Sequence, residues 1–396
     1  MVTRKNRMRR VGLFSLLLVA LALCASTRAQ DCCSDGSCGN GYGADCRGAG
    51  YGSGDCSDGS CDLDACYSNR YGCGPFLPAF YEPSLQRTYV TADFVGFLRD
   101  RQPNHVFATA DGSTHDVFDT KNLDFVMQPG LRLLVGRRFA ECWAIEASYL
   151  GLFQWDEQNA IRNVTPNIHG TNGNLFSPLT NFGSPAQIGL DFNNLVAARL
   201  RSQFDNAEIN FRQTLYSTPP AMQITALYGF RYINIREKLN FHSESSLPIP
   251  TGTQNTVDVS AGNNLYGLQM GGMFDLMLHR RAWLNIEAKG MLFRNSQNQS
   301  TDYTFGPIGG GTTTFSGALS QARACVGADI SVTLVWAFSP SLLGRVGYQG
   351  IFLDGLSLAA DNFARNAPFL TTGPTQLSRD GHLTFQGPFA GFTLTW

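Results

Sequence analysis

The side chains best equipped for chemistry fall in three places, the first a cysteine cluster near the N-terminus. Cys32, Cys33, Cys38, Cys46, Cys56, Cys61, Cys66 and Cys73 share one stretch rich in Gly, Asp, Ser and Tyr, within which Cys33-Ser-Asp-Gly-Ser-Cys38 recurs as Cys56-Ser-Asp-Gly-Ser-Cys61. Thiolates and carboxylates ligate zinc, but these pairs are separated by four residues rather than two and the segment holds no histidine, so no metal site is expected. The second place is Asp111, His115 and Asp116, close enough to suggest a hydrolytic site. Such a site needs an imidazole with carboxylates or a serine converging in space, and the three are expected to be solvated loop residues instead. The third is Gly306-Pro-Ile-Gly-Gly-Gly311, which lacks the Lys-Ser/Thr of a phosphate loop and reads as a surface loop. No catalytic residue and no cofactor is assigned, and the chain is not expected to be an enzyme.

Charged residues elsewhere carry a different signal. Arg199, Arg201, Glu208, Arg212, Arg231, Asp275, Glu287, Lys289, Asp329 and Arg345 alternate with apolar residues at a spacing of two. That period belongs to strands with one polar and one apolar face. If the polar faces turn inward, two consequences are open: a water-filled passage whose charges set solute preference, or an ion-pair network that fills the interior, since buried charges need partners.

The elements that would position these charges are long strands. Trp143, Ile145, Ala147, Tyr149, Gly151, Phe153 and Trp155 are expected on one face of a single strand, as are Val326, Ala328, Ile330, Val332, Leu334, Trp336 and Phe338 of another. Arg199 to Asp205 and Glu208 to Arg212 fall out of phase by one residue, which predicts a β-bulge near Asn206-Ala207. Polar stretches such as 100–128, 154–198 and 354–380 alternate with short turns at Phe139-Ala140, Pro219-Pro220, His279-Arg281 and Ser339-Pro340. Alternating long loops and short turns are the mark of a transmembrane antiparallel up-and-down β-barrel, all-β, with about ten strands or alternatively about 12. Trp143, Trp155, Trp283, Trp336 and Trp396 are expected at the membrane interfaces, where the amphipathic indole is favoured. Cys142 and Cys325 are expected on distant parts of the barrel as two free thiols.

Composition bounds the location. Residues 1–29 open with Arg4, Lys5, Arg7, Arg9 and Arg10, continue as an apolar run from Val11 to Leu23, and end at Ala29. They read as a secretory signal peptide. No later apolar run exceeds strand length, so helical membrane spans are not expected. Residues 30–84 form an irregular leader, stapled by disulfides in an oxidising compartment, and residues 85–396 the barrel. Removing the six cationic residues of the signal from the 30 Lys+Arg leaves 24 against 31 Asp+Glu, a net charge near −7 that speaks against nucleic acid. The expected place is the outer membrane of a Gram-negative-type bacterium, with both termini periplasmic. The expected partners are outer-membrane lipid, small solutes or ions, the barrel-assembly machinery during insertion, and an envelope component contacting the leader.

Five stretches carry a family resemblance: Leu133–Leu152 (LLVGRRFAECWAIEASYLGL), Ala207–Arg212 (AEINFR), Leu227–Glu237 (LYGFRYINIRE), Asn264–Gly272 (NLYGLQMGG) and Leu343–Ala359 (LGRVGYQGIFLDGLSLA). The chain resembles the beta-barrel porin family seven, widespread in planctomycetes, over about Asp93 to Trp396. The resemblance implies an outer-membrane barrel with a pore role and no catalytic residues. The function expected is a narrow porin-like channel for passive diffusion of small hydrophilic solutes or ions. The alternative is a structural or adhesive surface protein anchored by a plugged barrel.

Overall fold

The computed structural model describes residues 88–100, 103–110, 112, 115–140, 142–163, 173–218, 222–248, 251–367, 376–378 and 380–396. The expected signal and the leader, with its eight candidate disulfide cysteines, lie outside these residues.

The described residues form thirteen strands and one α-helix, in chain order: β1 (Thr88–Arg99), β2 (Val106–Ala110), β3 (His115–Asp119), β4 (Gln128–Ala140), β5 (Trp143–Arg162), β6 (Leu175–Phe176), β7 (Asn193–Thr218), β8 (Met222–Ser245), β9 (Thr253–His279), β10 (Ala282–Pro307), β11 (Thr313–Ser339), β12 (Leu342–Leu356), α1 (Ala359–Asn366) and β13 (Gly381–Thr395). Ten of the strands close into an antiparallel ring in the order β1, β4, β5, β7, β8, β9, β10, β11, β12, β13. Strand β1 pairs with β13 to complete it, the Thr88 amide donating to the Trp396 carbonyl at 3.0 Å and the Trp396 amide returning the bond at 2.9 Å. Closure satisfies every edge, which is what a sheet in hydrocarbon requires. The expected barrel of about ten strands is therefore the fold. Strands β2, β3 and β6 extend the sheet beyond the ring.

The ring is lopsided. Strands β7 to β11 run 24 to 27 residues, whereas β1 and β4 run 12 and 13. At ~3.3 Å per residue, even the short strands cross an apolar band ~25 Å tall when tilted. The long ones continue well past it as a wall on one side. Part of what the sequence suggests as a loop at 154–198 is this continuation of strands, residues 154–162 belonging to β5 and 193–198 to β7. Both termini of the barrel lie at the end with the short connections, called here the turn end, and the wall and α1 lie at the loop end.

Along β8 the two faces exchange character. Toward the turn end Tyr228 and Phe230 are exposed on the outside while Arg231 is buried inside. Farther along, the outward positions are Asn234, Arg236 and Lys238, and Ile233, Ile235, Leu239 and Phe241 are fully buried inside. The solvent explains the reversal: lipid surrounds the first half, so apolar groups face out, and water surrounds the second, so they face in as in a soluble protein. Fully burying each of these large side chains stabilises the fold by about 1.5–3 kcal/mol.

This reversal corrects two expectations. Strand β7 keeps one phase from Leu195 to Thr214, with Phe204, Asn206 and Asn210 buried and Ile209 and Phe211 exposed, so there is no bulge at Asn206-Ala207. The one-residue shift instead lies in the neighbouring β5, between Leu150 and Phe153, where Leu152 takes φ 71°. Beyond it Phe153 and Trp155 turn inward, whereas Ile145 on the same strand faces out. Trp155 is thus a core residue, 1% exposed, rather than an interface aromatic.

Candidate functional site

The barrel interior is built in layers, and each is held by side chains that meet across the axis. At the turn end Trp283, Val335, Ala337 and Leu343 form a small buried apolar cluster. Trp283 therefore points into the barrel. Trp336 and Trp396 are exposed on the outer face, and Trp143 is half-buried.

Above that cluster sits a polar layer. Lys289 Nζ on β10 lies 2.8 Å from Glu287, 3.3 Å from Glu208 on β7 and 3.5 Å from Asp329 on β11. Arg231 on β8 donates to Asp329 at 2.8 Å. Arg212 on β7 pairs with Glu146 on β5 at 2.6 Å and with Glu287 at 3.2 Å. Several of these pairs join strands that are not neighbours: β8 and β9 separate β7 from β10, and β9 and β10 separate β8 from β11. The charges therefore span the lumen as cross-braces. Asp275 accepts from Asn285 at 2.8 Å, and Arg345 approaches Asp93 at 3.9 Å. A cavity of about 230 Å³ remains among Arg132, Arg345, Asp275, Glu287 and their neighbours.

Of the ten charges singled out in the sequence, Glu208, Arg212, Arg231, Asp275, Glu287, Lys289, Asp329 and Arg345 line this layer. Arg199 and Arg201 do not. They face outward on the wall, about half exposed, and share Asp156 at 2.7 and 3.1 Å. Outside the lipid zone an outward charge is solvated, so its polarity no longer marks the lumen. Sequence reasoning missed Asp93, Arg132 and Glu146, although Asp93 and Arg132 each precede an exposed apolar residue, Phe94 and Leu133. The Arg132 guanidinium donates to Asp93 at 2.8 Å and to Gln349 at 3.1 Å, and covers the Phe389 ring at 4.2 Å.

Toward the loop end the lumen is filled by aromatics. Phe204 on β7 and Phe385 on β13 have ring centroids 4.5 Å apart, although β5, β4 and β1 separate their strands around the ring. Trp155 packs on Phe385 at 5.4 Å and on Phe153 at 5.7 Å, and Phe153 stacks on Phe97 at 4.9 Å. All five are at most 1% exposed. Beside them a fully buried ion pair links Arg99 of β1 to Glu237 of β8. The second Glu237 oxygen accepts from the Ala359 amide at the start of α1 at 2.9 Å. A further core joins Phe107 and Phe118 of β2 and β3 to Phe241 and to Phe363 of α1.

The remaining candidates carry no site. His115 and Asp116 are exposed on β3, and Asp111 lies outside the described residues. Among the described residues no group of three or more His, Cys, Asp or Glu is placed to hold a metal ion. Cys325 is a buried free thiol, but Cys142 is disulfide-bonded, which corrects the expectation of two free thiols.

The family described as "Putative beta barrel porin-7" matches residues 100–380. The chain belongs to this family. Its membership and its closed ring place it among outer-membrane β-barrels of the porin type. The outer membrane protease OmpT of Escherichia coli is similar at 8% identity, with a TM-score of 0.44 over 78% of this chain and 97% of that one. The toluene transporter TodX of Pseudomonas putida is similar at 10% identity, with a TM-score of 0.31 over 78% and 90%. Ail, the attachment invasion locus protein of Yersinia pestis, is similar at 9% identity, with a TM-score of 0.18 over 78% and 99%. No curated protein matches the chain.

Proposed function

We propose that this porin-family barrel is closed along its axis and serves as a membrane anchor for the wall and cap built at its loop end. The observation that carries this reading is the contact of Phe204 with Phe385 across the lumen, within a layer of fully buried aromatics. A hydrophobic plug of this kind admits neither water nor ions. The turn end, with both termini of the barrel, then faces the periplasm, and the loop end faces outward, as short periplasmic turns require. On this reading residues 1–29 are removed on export, residues 30–84 lie in the periplasm within reach of an envelope partner, and the strand ending at Trp396 is the part offered to the assembly machinery.

The mixed-charge cavity of about 230 Å³ favours a second reading, a narrow channel for passive diffusion of small hydrophilic solutes or ions that conducts when the plug is displaced. Planar-bilayer recordings separate the two. The anchor reading expects silence from the folded wild-type barrel and from the F204A/F385A variant, because the cross-braced charges below still fill the lumen. Discrete conductance steps from the wild type overturn it, and steps from the variant alone establish a gated channel.

A further inference from the structure

The outer face of the wall carries a feature that neither an anchor nor a channel uses. Where the apolar band ends, a groove of about 830 Å³ crosses β7 to β11, walled on one side by Arg201, Arg236 and Lys238. Its floor is made of small residues, because Gly262, Ser260 and Ser300 face outward on β9 and β10. Register fixes the surroundings. Arg236 pairs with Gly262, which pairs with Asn298. Four residues nearer the turn end Tyr232 pairs with Tyr266, and Tyr266 with Arg294. Leu268 and Leu292 pair directly below that row and are 71% and 63% exposed.

The charges of the wall are not equally available. Arg201 shares Asp156 with Arg199, and Lys238 lies 3.2 Å from Asp258. Arg236 and Arg294 are exposed and form no ion pair among the described residues. Two free guanidiniums thus sit at the boundary between an apolar surface and a polar groove. A planar guanidinium matches a phosphate through two parallel hydrogen bonds, and at this boundary it meets headgroups rather than acyl chains.

We propose that this groove and the row below it bind a phosphate-bearing anionic lipid of the surrounding leaflet, its phosphate groups met by Arg236 in the groove wall and by Arg294 four residues nearer the turn end, and its acyl chains lying over Leu268 and Leu292. The Tyr232 and Tyr266 rings, 4.9 Å apart, mark the depth of the headgroup plane between the two parts. The lipid rather than a soluble anion is the occupant because the exposed Leu268 and Leu292 lie directly below the row that holds Arg294 and the tyrosine pair.

The experiment compares the purified full-length barrel with its R236Q/R294Q variant in detergent micelles doped with lipid A or with phosphatidylcholine, reading bound lipid by native mass spectrometry. Both substitutions fall at exposed outward positions and leave the core untouched. Wild type is expected to retain lipid A in preference to phosphatidylcholine, and the variant to lose about tenfold in that retention, the effect of removing charge-assisted contacts. R137Q, at an outward position near the turn end, is expected to change nothing. Equal retention by wild type and variant overturns the proposal, as does an equal loss with R137Q. Displacement of lipid A by millimolar inorganic phosphate overturns the lipid assignment in favour of a soluble-anion site.

Discussion

The Arg99–Glu237 pair allows the closed interior to be tested by energetics alone. Both side chains are fully buried, and Arg99 covers the Phe125 ring at 4.6 Å. The pair is incompletely compensated, because Arg99 Nε and Nη1 find no hydrogen-bond partner among the described residues. Replacing Glu237 by Leu strands the guanidinium in an apolar core, which costs about 3–5 kcal/mol. It also removes the acceptor of the Ala359 amide, a further ~1–3 kcal/mol. Replacing both partners, as R99M/E237L, abolishes the buried charge altogether. Such exchanges are neutral or stabilising by ~1–4 kcal/mol in other proteins, so the double variant keeps only the amide deficit. The expected order of stability is wild type close to R99M/E237L, with E237L well below both. Urea unfolding of the barrel in micelles, followed by tryptophan fluorescence, reads the cycle, and a coupling of ~3 kcal/mol or more is expected between the two sites. A double variant as unstable as E237L would refute the argument, since the cost would then come from lost packing. A loss below ~1 kcal/mol in E237L would show that water reaches the pair and that the lumen is open there.

Two further outcomes follow from the same structure. Asp191 accepts from Thr180 at 2.6 Å and from the Gln187 amide at 2.9 Å, yet burial raises its pKa above 3.8 despite these bonds. A carboxyl raised in the folded state stabilises fully below its unfolded pKa, so the segment 173–193 should loosen as pH rises from ~4 through the raised value, measured by hydrogen exchange, and D191N should abolish that dependence. Lipids brominated on their acyl chains should quench single-tryptophan variants that retain Trp336 or Trp396 and spare those that retain Trp155 or Trp283, whose rings are inside the barrel; quenching of Trp155 would refute the bulge at Leu152.

What the sequence determined by itself was the fold. Period-two alternation over more than ten residues, as in Val326 to Phe338, has one physical source, a strand between two unlike environments. Alternating short turns and long connections then impose an even antiparallel ring, and the ten strands are observed. The eight lumen charges from Glu208 to Arg345 were visible because each adjoins an outward apolar residue, such as Ile209, Phe211, Phe230, Ile286, Ile330 or Val346, so that an inward direction avoids hydrocarbon. Tertiary structure decided the rest. Alternation states which residues share a face, but not which face is inside once the strand leaves the bilayer, because water then reverses the preference. Arg199 and Arg201 obey the local pattern and still point outward for that reason. A single residue with positive φ, Leu152, exchanges every later side chain of β5 between faces, and so carries Trp155 from the rim to the core. The aromatic layer across the lumen was least accessible to sequence reasoning. It depends on rings from β5, β7 and β13 meeting across a distance that only closure of the barrel sets.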